Sequence, residues 1–362
     1  MIPMRRIRTI SFLILAAALT AFLSAQPPRP DARKLSDRLA AVRTAPWPTL
    51  EWAFSSPEAR DMDDAELERA FAYAESHRSK ALLVTRHGYI VKERYAYPWD
   101  RHSTNSGYSV AKSFTSCLIG MLIDEGKIAG LDQRASDFIP QWRGTAHNAI
   151  TIRHLLSMTS GLYTTTVSDY LELLAAPNQT LFALNLPLEA SPGSHWEYSN
   201  AAVQVLSEVI LKASGLQAKD YARERLWSVI GMWNADWMTD DAGNTLTYQS
   251  VIASAREFAK FGYLFLRRGR WVSRQVVSAG WVDQSAVPSQ NLNRRYGFLW
   301  WTNADGDFWV DVPADAYAAV GAFNQRIYVV PSLDLVVVRL GEEDFQWSDN
   351  AFLGPVCKAV IR

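Results

Sequence analysis

Ser109 and Lys112 lie three residues apart at the start of a segment whose apolar residues recur at helical spacing. Residues three apart on a helix share one face, so the lysine amine can reach the serine hydroxyl. A serine hydroxyl is a weak nucleophile until a base takes its proton, and a lysine desolvated beside a helix N-terminus can serve as that base. The pair predicts nucleophilic acyl transfer. A helix-capping serine followed by a solvated lysine gives the same spacing.

Two further segments carry residues that would complete such a site. Tyr198 and Asn200 follow Pro192-Gly193 and precede an apolar run, which predicts a loop–helix junction where tyrosine relays a proton and asparagine orients the lysine. Gly321 and Ala322 stand at a predicted strand end, where glycine permits close approach of a substrate carbonyl. An N–H there would pair with that of Ser109 as an oxyanion hole. Tyr170 is a further candidate for lining the pocket.

Composition excludes several other classes of protein. The 362 residues are 48% hydrophobic and 20% charged, which argues against a disordered or fibrous chain. Lys+Arg and Asp+Glu each number 37, so no net field would attract nucleic acid. Two cysteines exclude a disulfide scaffold and leave pairing of Cys117 with Cys357 open. Six scattered histidines offer no metal-binding pair, so we expect neither a metal nor another cofactor.

The N-terminal residues have the layout of an export signal. Arg5, Arg6 and Arg8 precede an apolar run over residues 10–23, and Ser24-Ala25 offers a cleavage site. The run is shorter than the roughly 20 residues of a membrane span, so no stable insertion is expected after cleavage. The sequence therefore predicts a signal peptide over residues 1–25 and a secreted or periplasmic chain over 26–362. A retained N-terminal anchor is the alternative.

Strand patterns at both ends of the chain enclose a helical middle. A helix carrying Leu67, Phe71 and Ala74 precedes a hairpin that turns at residues 86–88. Residues 109–245 are predicted as helices and loops. Strands follow over 297–301, 308–310, 316–320, 325–330 and 333–339, with a last helix over 350–361. Because no βαβ alternation occurs, we expect an α+β fold: an antiparallel sheet flanked by N- and C-terminal helices, with a mostly helical inserted region.

Taken together, these motifs resemble the serine β-lactamase and penicillin-binding-protein-like superfamily. The branch most similar is the class C β-lactamase-related one, which includes family VIII esterases, D-aminopeptidases and 6-aminohexanoate-oligomer hydrolases. The resemblance spans most of residues 80–362 and includes the stretch Leu155-Leu156-Ser157-Met158-Thr159-Ser160-Gly161-Leu162. It implies a single β-lactamase/transpeptidase-like domain after the signal. It also implies that Ser109 is the nucleophile, Lys112 its base and Tyr198 the proton relay, with Asn200 holding the site and the N–H groups of Ser109 and Ala322 forming the oxyanion hole.

One departure from the family pattern bears on the substrate. Where penicillin-recognising members carry Lys-Thr-Gly, this chain has Ala319-Val320-Gly321. The missing lysine normally faces the substrate carboxylate, so a small neutral ester or amide is expected rather than a β-lactam or a D-alanyl peptide. Arg326 on the next strand is a possible replacement cation. β-Lactamase or D-alanyl-D-alanine peptidase-like activity remains the alternative.

Two rival interpretations remain open at the level of the sequence. Gly107-x-Ser109-x-Ala111 approaches the nucleophile elbow of α/β-hydrolases, but that fold needs a histidine after the serine, and none follows His195. A non-catalytic relative would bind a ligand through the same pocket. The presence of Ser109, Lys112 and Tyr198 together favours the enzyme. The sequence does not indicate an oligomeric state.

Overall fold

The computed structural model describes residues 46–361, so the predicted signal peptide over residues 1–25 lies outside the described residues. The strands of the described part, numbered in chain order, are β1 (Ala53–Phe54), β2 (Ser79–Arg86), β3 (Tyr89–Tyr95), β4 (Thr104–Ser106), β5 (Asp236–Trp237), β6 (Val251–Ser254), β7 (Arg270–Trp271), β8 (Arg274–Gln275), β9 (Trp301–Thr302), β10 (Tyr317–Gly321), β11 (Gln325–Val330) and β12 (Leu335–Gly341). Short 3₁₀ turns and π-helical turns over Ser168–Glu172 and Arg223–Trp227 occur between them.

The α-helices of the same residues are concentrated between β4 and β9. In chain order they are α1 (Asp64–Ser76), α2 (Ala111–Asp124), α3 (Ile152–Leu156), α4 (Leu173–Ala175), α5 (Gln179–Leu184), α6 (Asn200–Ser214), α7 (Ala218–Ala222), α8 (Ser228–Ile230), α9 (Ala255–Leu266), α10 (Ala279–Ser285) and α11 (Asp349–Lys358). None of the helices within residues 46–361 combines the length and the apolar character that crossing a bilayer requires.

The central sheet joins the two ends of the described chain. Its strand order is β1-β3-β2-β12-β11-β10-β9, and each pairing is antiparallel except that of β1 with β3. β2, from the start of the fold, lies beside β12, from its end. The helical region therefore leaves the sheet after β3 and returns at β9. This arrangement confirms the predicted antiparallel sheet with a helical insertion.

The sheet is buried on both faces, which explains why its strands are continuous apolar runs. Leu82 and Val84 of β2 face a layer formed by α1 and α11. Ala81 and Leu83 face the opposite layer, which contains α9 and the helical region. Successive side chains of β2 thus contribute to two separate cores. The second core includes the helices on which the site is built.

The predicted hairpin and terminal helices are confirmed, and two predicted strands are not. Gln325–Val330 matches its predicted bounds. Residues 308–310 form no strand, because the side chain of Asn303 accepts hydrogen bonds from the N–H groups of Phe308 and Trp309 and replaces a strand partner. Residues 297–300 lack strand structure as well, since Leu299 has a φ of 62°, which is incompatible with an extended strand.

Candidate active site

Ser109 lies in a tight turn that leads into helix α2. A 3₁₀ turn spans Tyr108–Val110, and Tyr108 has a φ of 47°, which bulky residues rarely adopt. Backbone bonds hold this turn in place: Gly107 N–H donates to the carbonyl of Val251 at 2.7 Å, and Ser250 N–H donates to the carbonyl of Tyr108 at 3.0 Å. Ser109 is only half-buried. Its hydroxyl is therefore presented at the open N-terminal end of α2, as the spacing predicts.

Lys112 is enclosed by oxygen atoms. Its side chain is 1% exposed, and its Nζ lies 3.0 Å from Ser109 Oγ, 2.7 Å from Asn200 Oδ1 and 2.9 Å from the carbonyl oxygen of Tyr248. Burial lowers the pKa of Lys112 to about 7, while the nearby Asp169 carboxylate acts in the opposite direction. A large share of this lysine is therefore neutral near pH 7, in the form that can accept a proton from serine.

Tyr198 covers the same amine from the other side. The Lys112 Nζ lies 4.8 Å from the centre of the Tyr198 ring, and the Ser109 side chain lies near the Tyr198 hydroxyl. Burial raises the pKa of Tyr198, and the neighbouring Ser109 side chain opposes that rise. The ring of Trp301 stacks on Tyr198 at 6.1 Å. The tyrosine is thus held neutral, within reach of the serine, and suited to pass a proton rather than to act as a permanent base.

The stretch from Leu155 to Leu162 positions the loop that carries Tyr198. Glu197 N–H donates to the carbonyl of Met158 at 3.0 Å, and Ser199 N–H contacts the Met158 sulfur at 3.5 Å. Gly193 N–H donates to the carbonyl of Thr159 at 2.8 Å. A cavity of about 390 Å³ opens beside this loop. The motif that supported the resemblance therefore supplies the backbone against which the Tyr198 loop is held.

Asp169 is a site residue that the sequence did not reveal. Its carboxylate is buried and accepts hydrogen bonds from the first two N–H groups of α6, those of Asn200 at 2.6 Å and Ala201 at 3.0 Å. Burial raises the pKa of Asp169, and these two N–H donors oppose the rise. Asp169 thereby holds Asn200 against Lys112. No local pattern marks such a cap, because it comes from a loop about 30 residues away from the helix it caps.

Tyr170, next to Asp169, also reaches the site. It belongs to the π-helical turn Ser168–Glu172, is 49% exposed, and its hydroxyl lies near the side chain of Asn200. The same loop therefore contributes a buried carboxylate and an accessible phenol. The structure places Tyr170 beside the cluster of Ser109, Lys112, Tyr198 and Asn200. Its role in lining the pocket stays a prediction.

The end of β10 lies against the turn that holds Ser109. A Cβ added at Gly321 would lie 2.0 Å from the carbonyl oxygen of Gly107, so no side chain fits there. The 3₁₀ turn at Tyr108–Val110 packs on β10. Ala322, which follows Gly321, is exposed and begins the turn into β11. The two segments predicted to supply oxyanion donors are therefore neighbours in space, and the requirement for glycine comes from close backbone packing.

Neither Ala319 nor Arg326 offers an unpaired cation to a substrate on this side of the site. Ala319 is fully buried in the core. Arg326 is not a replacement for the missing lysine: it donates to Asp349 Oδ1 at 2.8 Å and to the carbonyl of Gly321 at 3.0 Å. Its guanidinium is thus already paired in the layer beneath α11. The suggestion that Arg326 meets a substrate carboxylate is wrong, because side-chain alternation on β11 turns it toward Asp349.

The remaining candidate groups do not approach the cluster. Cys117 and Cys357 are both buried free thiols that belong to different cores, so they form no disulfide. Among residues 46–361, no group of three or more His, Cys, Asp or Glu side chains is arranged to hold a metal ion. The elbow of an α/β-hydrolase is also excluded, because antiparallel strands build the sheet and a lysine, not a histidine, contacts Ser109.

Comparison with known proteins agrees with this geometry. Residues 65–346 match the family model described as Beta-lactamase. The 6-aminohexanoate-dimer hydrolase of Paenarthrobacter ureafaciens is 24% identical over 74% of this chain and 73% of its own length. A D-aminopeptidase of Cereibacter sphaeroides is 29% identical over 52% of this chain, a match that spans only 38% of that protein.

A solved structure extends the likeness to the fold. The structure titled "EstCE1, a hydrolase with promiscuous acyltransferase activity" superposes with a TM-score of 0.68 at 17% identity, covering 83% of this chain and 99% of that one. At this identity the superposition establishes the shared α+β fold. Because the family model covers more than half of the chain, including Ser109, Lys112 and Tyr198, the protein belongs to the beta-lactamase family of hydrolases.

Proposed function

We propose that this protein is an exported serine acyl hydrolase that cleaves a small ester or amide through an acyl-Ser109 intermediate. The observation that carries the proposal is the environment of Lys112: a buried amine with a pKa of about 7, placed 3.0 Å from a half-exposed serine hydroxyl. A solvated lysine after a capping serine would have neither property. The export part rests on the N-terminal sequence pattern.

The contacts of Lys112 supply the base for the first step. The neutral amine has two N–H groups and one lone pair. The N–H groups donate to Asn200 Oδ1 and to the carbonyl of Tyr248, which leaves the lone pair to accept the proton of Ser109 Oγ. The serine oxygen then forms a bond to the acyl carbon, and the carbonyl electrons move onto oxygen. The N–H groups of Ser109 and Ala322 would stabilise that charge.

Tyr198 completes the proton transfers. Its hydroxyl lies near Ser109, and Lys112 lies over its ring. The proton taken from serine passes through Tyr198 to the leaving oxygen or nitrogen as the bond to the acyl carbon breaks. Water then attacks the acyl-enzyme, giving one proton back along the same path, and the serine is released with its hydroxyl restored. Because the pKa of Tyr198 is raised, the tyrosine starts and ends each cycle as the neutral phenol.

The charges around the site favour a neutral substrate. Ala319 offers no cation and Arg326 is paired with Asp349, whereas the Asp169 carboxylate near Lys112 and the neighbouring Glu197 are acidic. A substrate carboxylate would therefore gain no charge-assisted bond from these residues. The similar proteins named above act on an amide dimer or as a D-aminopeptidase, which keeps amides alongside esters as candidate substrates.

Intact-mass spectrometry across a panel of substrates tests the proposal. The protein would be mixed with activated esters, anilides and β-lactams and quenched within the first turnovers. The proposal expects an added acyl mass with esters or amides that disappears in Ser109→Ala. Turnover that persists in Ser109→Ala would contradict the acyl-serine mechanism, and accumulation of an adduct with β-lactams alone would favour a β-lactamase or D-alanyl peptidase-like activity.

A further inference from the structure

The rings of Tyr108 and Phe323 are in contact. Their centres are 4.8 Å apart with an angle of 66° between the planes, an edge-to-face contact. Both residues have left-handed backbone conformations, with φ of 47° at Tyr108 and 58° at Phe323. Bulky side chains rarely adopt such angles, and strained residues persist only where the surrounding structure holds them. The surrounding structure must therefore hold both residues of this contact in place.

The sequence positions of both residues connect the ring contact to the proposed oxyanion hole. Tyr108 directly precedes Ser109, and Phe323 directly follows Ala322. Each ring therefore stands on the segment that carries one of the two proposed oxyanion donors. A pair of donors stabilises a developing oxyanion only when both lie about 2.7–3.1 Å from the same oxygen position, so the separation of the two segments must be set accurately.

Separate hydrogen bonds anchor each of the two segments. The carbonyl of Tyr108 accepts from Ser250 N–H at 3.0 Å. The carbonyl of Phe323 accepts from Arg339 Nη1 at 2.8 Å and from Gln325 Nε2 at 3.0 Å. These bonds fix each turn to its own neighbours. The ring pair joins the two turns directly to each other.

Other contacts between the segments lie behind the rings. Gly321 packs on the carbonyl of Gly107, and Asn105 Nδ2 donates to Gln325 Oε1 at 3.1 Å. Phe323 is 37% exposed, which puts its ring at the rim rather than in the core. The ring contact therefore joins the two segments on their solvent-exposed side, while backbone packing joins them on their buried side.

We propose that the contact between Tyr108 and Phe323 positions the N–H groups of Ser109 and Ala322 for the same oxyanion. This rests on the proposed function, and it makes both aromatic residues positioning residues of the acyl transfer rather than catalytic ones. Loss of either ring lets one donor shift. Because the donors act on the transition state, the loss lowers kcat and leaves KM nearly unchanged.

Kinetics of ring-deleting and ring-keeping variants on a p-nitrophenyl ester test the inference. Tyr108→Ala and Phe323→Ala are each expected to lower kcat about 10- to 100-fold, the range for a displaced group in an active site. Tyr108→Phe and Phe323→Tyr keep both rings and should retain kcat within about two-fold. The double alanine variant should lose little more than either single one, because one contact is removed in all three.

Two further variants separate positioning from folding. Phe323→Gly deletes the ring but accepts the left-handed backbone freely, so its Tm should be at least that of Phe323→Ala, while kcat falls as in Phe323→Ala. Phe345→Ala removes a phenylalanine that is 92% exposed and should match the wild type in both quantities. A Phe323→Gly variant with wild-type kcat would overturn the inference whatever happens to Phe323→Ala.

The outcomes also distinguish this inference from the proposed function. Wild-type protein that forms a Ser109-dependent acyl adduct, together with alanine variants that behave like Phe345→Ala, would overturn the positioning role alone. Absence of any Ser109-dependent adduct in the wild type would overturn the proposed function and this inference with it. A kcat loss in the two alanine variants that is absent from Phe323→Tyr and Tyr108→Phe supports both the proposed function and the positioning role.

Discussion

The Nζ atom of Lys112 lies 3.0 Å from the Oγ of Ser109, at the bottom of a site where only 1% of the lysine side chain is exposed. Asn200 and the carbonyl of Tyr248 accept hydrogen bonds from the same amine. These two contacts fix the N–H groups of the neutral amine, so its lone pair points at the Ser109 hydroxyl.

Activity should depend on pH through Lys112. Burial lowers its pKa to about 7, and only the neutral amine can accept the serine proton. We therefore expect kcat/KM for a neutral ester to rise with pH through about 7 and to level off above it. A profile that is flat between pH 5 and 9, measured with a substrate that does not titrate, would contradict this role for the lysine.

Stability should change with pH in the same sense. The folded-state pKa of Lys112 lies below the roughly 10.4 of an unfolded chain, so the folded protein binds fewer protons between about pH 7 and 10. The contribution of this group to the free energy of unfolding accordingly rises with pH across that window. Urea titrations at pH 7 and 9 should show the rise in the wild type and a smaller one in Lys112→Met.

Lys112 and Tyr198 should act as one unit. Lys112→Ala and Tyr198→Phe are each expected to lower kcat by about 10²–10⁴, because each removes a member of the proton path. The double variant should lose much less than the product of the two effects, since groups that act together are not additive. Steady-state kinetics of the three variants provides the measurement, and full turnover by either single variant would refute the assigned roles.

Asp169→Asn should separate the two roles of the buried carboxylate. The variant loses one acceptor for the N–H groups of α6, so we expect a loss of about 1–3 kcal/mol in the free energy of unfolding. The Asp169 charge raises the pKa of Lys112, so its removal should move the acidic limb of the kcat/KM profile to lower pH. Glu172→Gln, an exposed neighbour on the same loop, should alter neither quantity.

Gly321→Ala should damage both stability and activity. The added Cβ would meet the carbonyl oxygen of Gly107 at 2.0 Å, which forces β10 and the Ser109 turn apart. We expect a loss of about 1–3 kcal/mol in the free energy of unfolding and a fall in kcat. Gly280→Ala is the matched control, since nothing lies within 4 Å of its added Cβ, and it should be neutral or slightly stabilising. Equal behaviour of the two variants would contradict the close packing at Gly321.

Substrate charge should affect catalysis through the missing cation. A carboxylate without a charge-assisted hydrogen bond loses about 1.5–3 kcal/mol, which is roughly a 10- to 150-fold handicap. We expect kcat/KM for p-nitrophenyl butyrate to exceed that for a chromogenic cephalosporin under identical conditions. Ala319→Lys is a poor test, because Ala319 is fully buried and a lysine there would displace core atoms. A faster cephalosporin would move the β-lactamase alternative to first place.

The sequence predicts those parts of the site that depend on local geometry. The contact between Ser109 and Lys112 follows from helical spacing, and the Tyr198–Asn200 junction follows from a helix start after Pro192-Gly193. Asp169 could not be identified, because it caps a helix distant along the chain. Tyr248 was equally hidden, since it contributes a backbone carbonyl that any residue could supply.

The fold shows the same division between local and tertiary information. Continuous apolar runs predict the buried strands β11 and β12, because these strands face a core on both sides. The predicted strand over residues 308–310 fails, since the side chain of Asn303 satisfies the backbone there instead. The orientation of Arg326 required knowledge of α11, which supplies Asp349 from a helix that follows the sheet.

Labelling with a fluorophosphonate tests the central claim most directly. The probe phosphonylates an activated serine, and intact-mass and peptide mapping would locate the adduct. We expect a single adduct on Ser109 in the wild type, none in Ser109→Ala, and normal labelling in Ser76→Ala, which alters an exposed serine at the end of α1. Labelling that persists unchanged in Ser109→Ala would contradict the assignment of Ser109 as the nucleophile.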